Sequence, residues 1–389
     1  MKSIYLIFLV FLLFSCKSHQ NTLYEFDPRK LNQNKITLSE IAEDIRYIPL
    51  DNSFPMGIIY RPRYFINNSI YLSALNTGIM VFDRNGKLLR KIGSVGRGPD
   101  EYTSYYQFTV DDKRETVYVL DGGLNMIKVY SKTGVFLRSF SLREFGEGVD
   151  AVEFYNSKLF ISYPLQFFGV KYDWIILDTL GNLDKKKERT IPSFTSNWLI
   201  GGGMYKFENR IYHWNPFNDT VFSILPDLNY ETSFLLSHGE HRLPRSDFDI
   251  GKQFSLFFHP YSMFETSRFL VIDYFFKKRI IALIDKKSNI SYLTYLESGK
   301  ATVGEKLIGG IFNDLDGGVM FQPESYYVED NREYMFGLIN PYQIKALVTS
   351  DEFKNSTPKY LEKKKELLKL ADSLKETDNP VLMMVILKK

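Results

Sequence analysis

The stretch Asn67-Asn68-Ser69-Ile70-Tyr71-Leu72 joins a polar turn to a run of β-branched and aromatic residues. This pattern is typical of the turn and second strand of a β-hairpin. It returns five times along the chain, centred on Tyr118, Phe160, Tyr212, Leu270 and Met320. Counted from Tyr71, successive centres are 47, 42, 52, 58 and 50 residues apart. Repeats of this length predict four-stranded units, the blades of an all-β, six-bladed β-propeller.

A second pattern follows each of the first five hairpins and consists of an apolar strand, a tight turn and another strand. One slot of this turn holds glycine in the first three copies, at Gly86, Gly134 and Gly181. Glycine suits such a slot because it adopts a positive φ without a Cβ clash. Leu228 and Ser288 fill the slot in the fourth and fifth copies. We therefore expect these two turns to differ from the first three.

The sixth repeat has no third and fourth strands directly after Phe321. Two strand-like apolar runs lie instead at opposite ends of the chain, at residues 45–50 and 381–387. Pairing them would close the ring and cover two exposed sheet edges. We therefore predict one propeller domain over residues 36–389, with a closing blade shared between the N-terminal and C-terminal strands.

One helix is predicted at about residues 359–375, inserted in this last blade. Pro358 suits its start, and Asn379-Pro380 ends it. Its apolar face is predicted to carry Leu361, Leu368, Ala371 and Leu374.

The N-terminus has the pattern of an export signal. An apolar run from Ile4 to Phe14 follows Lys2 and is too short to span a bilayer. It ends at Ser15-Cys16, which resembles the lipobox of bacterial lipoproteins, and Cys16 is the only cysteine in the chain. We predict a signal peptide at residues 1–15 and a lipidated tether at 16–35. The alternative is an ordinary secretory peptide followed by a free thiol.

Composition excludes several other classes of protein. The 389 residues are 44% hydrophobic, which is enough to bury a large core. Basic and acidic residues number 49 and 46, so the charge pattern does not indicate a nucleic-acid partner. A single cysteine also excludes disulfides within the chain and zinc–thiolate clusters.

The segment Gly93-Ser94-Val95-Gly96-Arg97-Gly98-Pro99-Asp100-Glu101-Tyr102 resembles the six-bladed β-propeller lipoproteins of Gram-negative bacteria, which are distant relatives of NHL-repeat propellers. Residues 41–50 and 379–383 are similar to the same family at its two ends. The resemblance implies a propeller fold, export and a lipid anchor in the cell envelope. It favours the outer membrane and leaves open whether the protein faces the periplasm or the surface. No shared activity follows from it.

Two groups of residues are candidates for binding a ligand. In the glycine-rich loop, Arg97 and neighbouring amides could bind an anion, although such a loop also serves as a simple connection between blades. Aromatic rings in predicted loops could stack on a sugar or peptide, although they could equally pack between blades. These aromatic candidates are Tyr102, Tyr105, Tyr106, Trp198 and Trp214.

No motif indicates a metal, a cofactor or a catalytic residue. His238 and His241 are three residues apart and do not fit the helical spacing of a zinc site. We therefore predict a non-catalytic binding or scaffold module for a glycan, a peptide or an envelope protein. The alternative is a lyase or hydrolase with its active site at the channel mouth. A metal held there by these histidines with His213 or His259 would favour that alternative.

Overall fold

The structure is a computed structural model that describes residues 23–60, 63–104, 107–165, 170–192, 194–197, 200–236, 239–299 and 306–389. The described strands form six small sheets arranged around an axis. This architecture confirms the predicted six-bladed β-propeller. Apolar side chains pack between neighbouring sheets, so the core is divided among the blade interfaces.

Two strands precede the first blade: β1 (Tyr24–Phe26) and β2 (Ala42–Pro49). Blade 1 contains β3 (Tyr64–Ile66), β4 (Ser69–Ala74), β5 (Gly78–Asp83) and β6 (Leu88–Ile92). Blade 2 contains β7 (Gln107–Val110), β8 (Val117–Asp121), β9 (Met126–Tyr130) and β10 (Phe136–Ser141). Blade 3 contains β11 (Ala151–Tyr155), β12 (Lys158–Ser162), β13 (Tyr172–Asp178) and β14 (Leu183–Glu188).

Blade 4 contains β15 (Gly203–Phe207), β16 (Arg210–Trp214), β17 (Thr220–Ile224) and β18 (Tyr230–Leu236), with β1 added at its edge. Blade 5 contains β19 (His259–Glu265), β20 (Phe269–Phe276), β21 (Lys278–Asp285), β22 (Ser291–Gly299) and β23 (Lys306–Gly309). Blade 6 contains β24 (Ser325–Glu329), β25 (Arg332–Ile339), β26 (Val381–Leu387) and β2. The α-helices are α1 (Leu38–Ile41), α2 (Ile250–Gln253), α3 (Pro341–Thr349), α4 (Asp351–Asn355) and α5 (Leu361–Ser373), and 3-10 turns occur at Arg143–Phe145, Gly239–His241 and Phe254–Leu256.

Blade 6 closes the ring as predicted. Strand β2 pairs antiparallel with β26, from Ala42 opposite Leu387 to Pro49 opposite Val381. Every residue of β26 is buried, because this strand lies between two others and has sheets against both faces. Its unbroken apolar run is the sequence pattern of a strand buried on both faces.

The sixth hairpin begins later than the sequence pattern indicated. Residues 316–321 form a turn and a loop, and the pattern centred on Met320 is not a second strand. The hairpin is formed by β24 and β25, whose turn residues Asp330 and Asn331 have φ values of 48° and 59°. The prediction was wrong because Phe321 is buried in the core although it follows a loop. When a loop places an apolar residue in the core after polar turn residues, its sequence has the same polar-to-apolar pattern as the start of a strand.

The third-to-fourth-strand turns follow one design in four blades. The predicted glycines have positive φ values of 83°, 87° and 99°, at Gly86, Gly134 and Gly181. Leu228 has a φ of 65° and donates its N–H to the Leu225 carbonyl, so the expectation of a different fourth turn was wrong. The fifth turn does differ, because its left-handed residue is Asn289, one position after Ser288.

The predicted helix is present as α5, but its buried face differs from the prediction. Leu367, Ala371 and Leu374 are buried, whereas Leu361 and Leu368 are 53% and 38% exposed. Helices α3 and α4 precede it, so the expectation of one C-terminal helix was wrong. The neighbouring α3 determines which face is buried, because it packs in the same core cluster and its Lys345 donates to the carbonyls of Ala371 and Leu374.

The packed body begins earlier than residue 36. Strand β1 pairs in parallel with β18, and the fully buried Phe26 packs against Phe258 with 5.6 Å between ring centroids. The last part of the predicted tether therefore belongs to the body, because Phe26 inserts an aromatic ring into the core beside blades 4 and 5. The predicted signal peptide at 1–15 and the predicted lipidation site Cys16 lie outside the described residues. Within the described ranges, no helix is both long and apolar enough to cross a membrane.

We predict that Ile386→Ala, in β26, lowers the free energy of unfolding by about 2–5 kcal/mol, because it leaves a cavity in the strand that closes the ring. Ile386 is 1% exposed, and the control Ile308→Ala removes a side chain that is 61% exposed. The control should change stability by less than about 0.5 kcal/mol. Urea denaturation followed by circular dichroism measures both values, and equal losses in the two variants would contradict the role given to β26.

Candidate functional site

A cavity of about 240 Å³ lies on the propeller axis. Side chains from the first, innermost strand region of all six blades line it, which identifies it as the central channel. These side chains include Tyr64, Gln107, Glu153, Tyr205, Tyr261 and Tyr326. The first strands of the blades all run in the same direction along the propeller axis, so their N-terminal ends lie together at one mouth of the channel.

Contacts between side chains of different blades fill the inner part of the channel. The Tyr64 hydroxyl of blade 1 donates to the carboxylate of Glu153 in blade 3 at 3.0 Å. The same carboxylate accepts a hydrogen bond from Thr109 at 2.8 Å and pairs with the Lys206 ammonium at 3.1 Å. Burial, together with the Glu153 charge, raises the pKa of Tyr64 well above its ordinary value. The hydroxyl therefore stays protonated and remains a donor.

The charged groups at the channel mouth are also paired. Arg63, directly before β3, forms an ion pair with Glu324, directly before β24. Lys206 and Glu153 form a second pair deeper in the channel. The cavity wall therefore carries balanced charge, because two positive and two negative side chains form two ion pairs.

Two buried polar atoms of uncharged side chains in the cavity wall have no hydrogen-bond partner among the described residues. They are the indole Nε1 of Trp214 and the hydroxyl oxygen of Ser262, and both are buried. Trp214 lies against the backbone of Gly203, where a Cβ atom would come within 2.2 Å of the indole ring. The absence of a side chain at Gly203 therefore allows the indole to reach the channel wall.

A β-bulge places Tyr261 at the mouth. The register of β19 on β20 shifts between Pro260 and Ser262, and bulges of this kind redirect the side chain of the extra residue. The Arg279 guanidinium lies 3.8 Å from the centroid of the Tyr261 ring, and the His259 ring meets it edge-on at 4.5 Å. The Tyr261 ring is held in place by these neighbours and is still 38% exposed.

Asp150 lies at the rim, directly before β11. Its carboxylate accepts a hydrogen bond from the Gly202 N–H at 2.6 Å. Burial raises the pKa of Asp150 to about 6, although this hydrogen bond acts in the opposite direction. Asp150 is therefore a carboxyl group that changes charge near neutral pH.

The glycine-rich loop is folded on itself. Arg97 is exposed and does not line the channel cavity. The carboxylate of Glu101 accepts the N–H of Gly98 at 2.8 Å, and buried Lys128 donates to the carbonyls of Pro99 and Glu101. The Gly98 N–H, one of the backbone amides that the sequence suggested for anion binding, therefore already has a hydrogen-bond partner within the loop.

The five aromatic candidates have different positions. Trp214 lines the channel cavity. Tyr102 is buried between blades 1 and 2, where its hydroxyl donates to the Ile92 carbonyl at 2.7 Å and accepts from the Ile79 N–H at 3.1 Å. The remaining candidates lie outside the described residues: Tyr105, Tyr106 and Trp198.

The three histidines among the described residues do not lie together at the channel mouth. His213 is buried between blades 3 and 4, His259 begins β19, and His241 bonds to the Leu256 carbonyl. His238 lies outside the described residues. Among the residues that the structure describes, no group of three or more histidine, cysteine or acidic side chains is placed to hold a metal.

Sequence reasoning missed the charged residues of the inner strands. Glu153 and Lys206 each interrupt an apolar strand that directly precedes a predicted hairpin turn. A charge within an otherwise apolar first strand was the available signal. Arg63 and Glu324 gave no such signal, because they lie in connections between blades.

Stability should depend on the protonation of His259. Burial lowers the pKa of His259 to about 4, and the Arg279 guanidinium acts in the same direction. Because an unfolded histidine titrates near pH ~6.5, the unfolded chain binds more protons between roughly pH 4 and 6.5. The contribution of His259 to stability is therefore present above this window and is lost as the pH falls through it.

We predict that His259→Gln reduces the slope of unfolding free energy against pH in this window by up to about 1.4 kcal/mol per pH unit. Urea denaturation at several pH values between 4 and 7 measures the slope. Parallel curves for His259→Gln and the unmodified protein would show that His259 does not carry this dependence.

The chain matches the domain of unknown function DUF4934 over residues 23–386. No curated protein matches it. A solved structure of a Bacteroides fragilis protein, whose name describes it as a candidate exported protein, is 18% identical, with coverage of 95% of this chain and 100% of that chain and a TM-score of 0.67. A DUF4221 family member from Bacteroides vulgatus is 14% identical, with coverage of 92% and 100% and a TM-score of 0.44.

A streptogramin B lyase structure is 12% identical, covers 75% of this chain and 94% of that chain, and has a TM-score of 0.43. At these identities the Bacteroides fragilis structure supports the propeller fold, and the other two carry no argument about function. The family match spans nearly all of the described propeller, from before β1 to within β26. The chain therefore belongs to the DUF4934 domain family.

Proposed function

We propose that this protein is a binding protein that takes up a neutral glycan at the mouth of its central channel. One observation supports this most strongly. Trp214 and Ser262, whose indole Nε1 and hydroxyl have no hydrogen-bond partner among the described residues, line the same cavity as the exposed ring of Tyr261. Sugar recognition needs this combination, because hydroxyl groups require hydrogen-bond partners and the apolar face of a sugar ring stacks on an aromatic ring.

The balanced charge of the cavity favours a neutral ligand. Arg63 is paired with Glu324, and Lys206 with Glu153. An ion entering the cavity would meet charges of both signs and would also lose its hydration. A sugar hydroxyl can accept from one member of such a pair and donate to the other, so it gains from both.

The shape of the mouth favours an oligosaccharide over a single sugar. The channel cavity of about 240 Å³ is smaller than the roughly 300–1,000 Å³ of usual ligand pockets. A second cavity of about 440 Å³ shares Arg63 and Glu324 with it and continues toward blade 6, where Asn340 and Gln343 contribute amide groups. A glycan with one residue in the channel could extend across this ion pair into the second cavity.

We predict that an array of neutral oligosaccharides binds the purified protein more strongly than acidic oligosaccharides or peptides. For the best oligosaccharide, Trp214→Phe and Tyr261→Ala should each raise Kd by about 5–10-fold, the loss expected for one hydrogen bond or one stacking contact. Isothermal titration calorimetry measures the change. The control Phe312→Ala removes a ring that is 51% exposed on the outer side of blade 5 and should leave Kd unchanged.

Strong binding to peptides alone, or an equal loss in Phe312→Ala, would contradict the proposed glycan site. A lyase or hydrolase remains the second candidate, because Asp150 at the rim has a pKa of about 6 and could act as a general acid or base. Mass spectrometry of the bound oligosaccharide after incubation distinguishes the two. Cleavage that is lost in Asp150→Asn while binding persists would favour the enzyme.

We also propose that the chain is exported and held in the cell envelope, at the outer membrane, by a lipid on Cys16. The apolar run from Ile4 to Phe14 and the lipobox-like ending at Cys16 support this proposal. The name of the Bacteroides fragilis relative is in agreement with export. An acylated N-terminus would hold the protein at a membrane without a spanning helix.

We predict that Cys16→Ser moves the protein from the membrane fraction to the soluble fraction in a Gram-negative host and abolishes labelling by an alkyne fatty acid. Ser18→Ala, two residues further on, is the control and should remain labelled and membrane-bound. If Cys16→Ser keeps its label, the cysteine is not the lipidation site.

A further inference from the structure

The outer side of blade 5 has an apolar cavity of about 580 Å³. Strand β22 contributes one wall through Tyr292, Leu293 and Tyr295. Residues 309–312, at the end of β23, contribute a second wall, and residues 35–37 of the N-terminal segment contribute a third. The volume lies within the roughly 300–1,000 Å³ of usual ligand pockets.

The cavity reaches from the protein surface to the core of the blade. Leu283, on β21, and Ile311 are buried at the cavity wall, whereas Phe312 and Met320 are exposed there. Exposed apolar side chains on a soluble protein are usually scattered singly. Two of them beside one concave, mainly apolar surface therefore indicate a binding site for an apolar group.

The backbone beside β22 is held close to that strand, so the cavity is already formed without a ligand. Gly309 and Gly310 have φ values of 122° and 132°. A Cβ atom at Gly309 would overlap the carbonyl oxygen of Tyr295, so glycine permits this close approach. The Thr294 hydroxyl donates to the Gly310 carbonyl at 2.6 Å and links the two walls. A preformed wall reduces the entropy cost of binding a ligand.

One charged side chain, that of Lys35, is present among the described residues that line the cavity. Lys35 is exposed, and none of these lining residues is acidic. The Glu40 carboxylate accepts the Thr37 N–H at 2.7 Å but does not line the cavity. Gln33, Lys35 and Thr37 belong to the N-terminal segment, whereas blade 5 contributes mainly apolar and aromatic side chains. The lining is therefore divided into a polar, positively charged side and an apolar side.

A ligand with a negative head group and an apolar chain fits this division. A carboxylate beside exposed Lys35 gains a cation partner and keeps contact with water, so it avoids the cost of burying a charge. An alkyl chain gains free energy by leaving water for the apolar side. We propose that this cavity binds a single-chain anionic amphiphile of the fatty-acid class, with its carboxylate beside Lys35 and its alkyl chain against Tyr295, Phe312 and Leu283.

This site is separate from the proposed glycan site. None of the described residues lines both this cavity and the channel cavity. Met320 is the one described residue shared with the second cavity beside the channel. Binding of an amphiphile at blade 5 therefore does not require a glycan at the channel mouth.

A series of fatty acids tests the apolar side of the cavity. Isothermal titration calorimetry of hexanoate, octanoate and decanoate, each below its micelle-forming concentration, should give a Kd that falls about 3-fold for each added methylene. The reason is that each further methylene leaves water. The absence of binding, or an equal Kd for the three acids, would overturn the proposal.

Charge variants test the head-group contact. Lys35→Gln should raise the Kd of decanoate about 2–5-fold, the effect expected for one exposed ion pair. Lys35→Glu should make the protein prefer decyltrimethylammonium to decanoate. The control Lys132→Gln removes an exposed lysine from a turn of blade 2 and should leave Kd unchanged. An equal rise in Kd for Lys132→Gln would show a general charge effect and would also overturn the proposal.

Apolar variants test the position of the alkyl chain. Phe312→Ala should raise the Kd of decanoate about 5-fold, because part of the apolar contact is lost. The control Leu180→Ala removes an exposed apolar side chain from a turn of blade 3 and should not change it. If Phe312→Ala binds decanoate normally but abolishes a dimer seen by sedimentation velocity, the apolar side is a contact between two copies of the chain and the proposal fails. Because Phe312→Ala should retain glycan binding, failure here and failure of the proposed function are distinguishable.

Discussion

The pairing of β2 with β26 is the constraint on which the rest of the structure depends. Six sheets form a ring only if the last sheet meets the first. Without β2, the hydrogen-bonding groups along one edge of β26 would be unpaired. The N-terminal strand covers that edge with a ladder from Ala42 to Pro49. In blade 6, hydrogen bonds between β2 and β26, which lie far apart in the sequence, thus take the place of the short turn that joins the third and fourth strands of the other blades.

Closure also creates the channel. Tyr64, Glu153 and Lys206 belong to three different blades and meet only because the ring brings their first strands to one axis. The Glu153 carboxylate of one blade is paired with groups of two others, so the inner strands can carry charge without unpaired buried ions. This arrangement yields a rigid, charge-balanced wall, and rigidity of that kind reduces the entropy cost of binding a ligand.

Buried polar atoms that have no hydrogen-bond partner among the described residues support the candidate glycan site. At the channel these atoms are the Trp214 Nε1 and the Ser262 hydroxyl oxygen. The fold itself hosts many unrelated functions, so membership in the DUF4934 family does not identify one. The chemistry of this local site therefore carries the functional argument.

The amino-acid sequence by itself determined the number of blades, the turns at Gly86, Gly134 and Gly181, and the terminal strands that close the ring. These features are encoded by local periodicity and turn chemistry, which a linear pattern displays. Tertiary structure alone decided that Leu228 adopts a left-handed turn, which face of α5 is buried, and that Trp214 reaches the channel while Tyr102 packs between blades. Each of these depends on contacts between residues far apart in the chain, and no local pattern specifies such a partner.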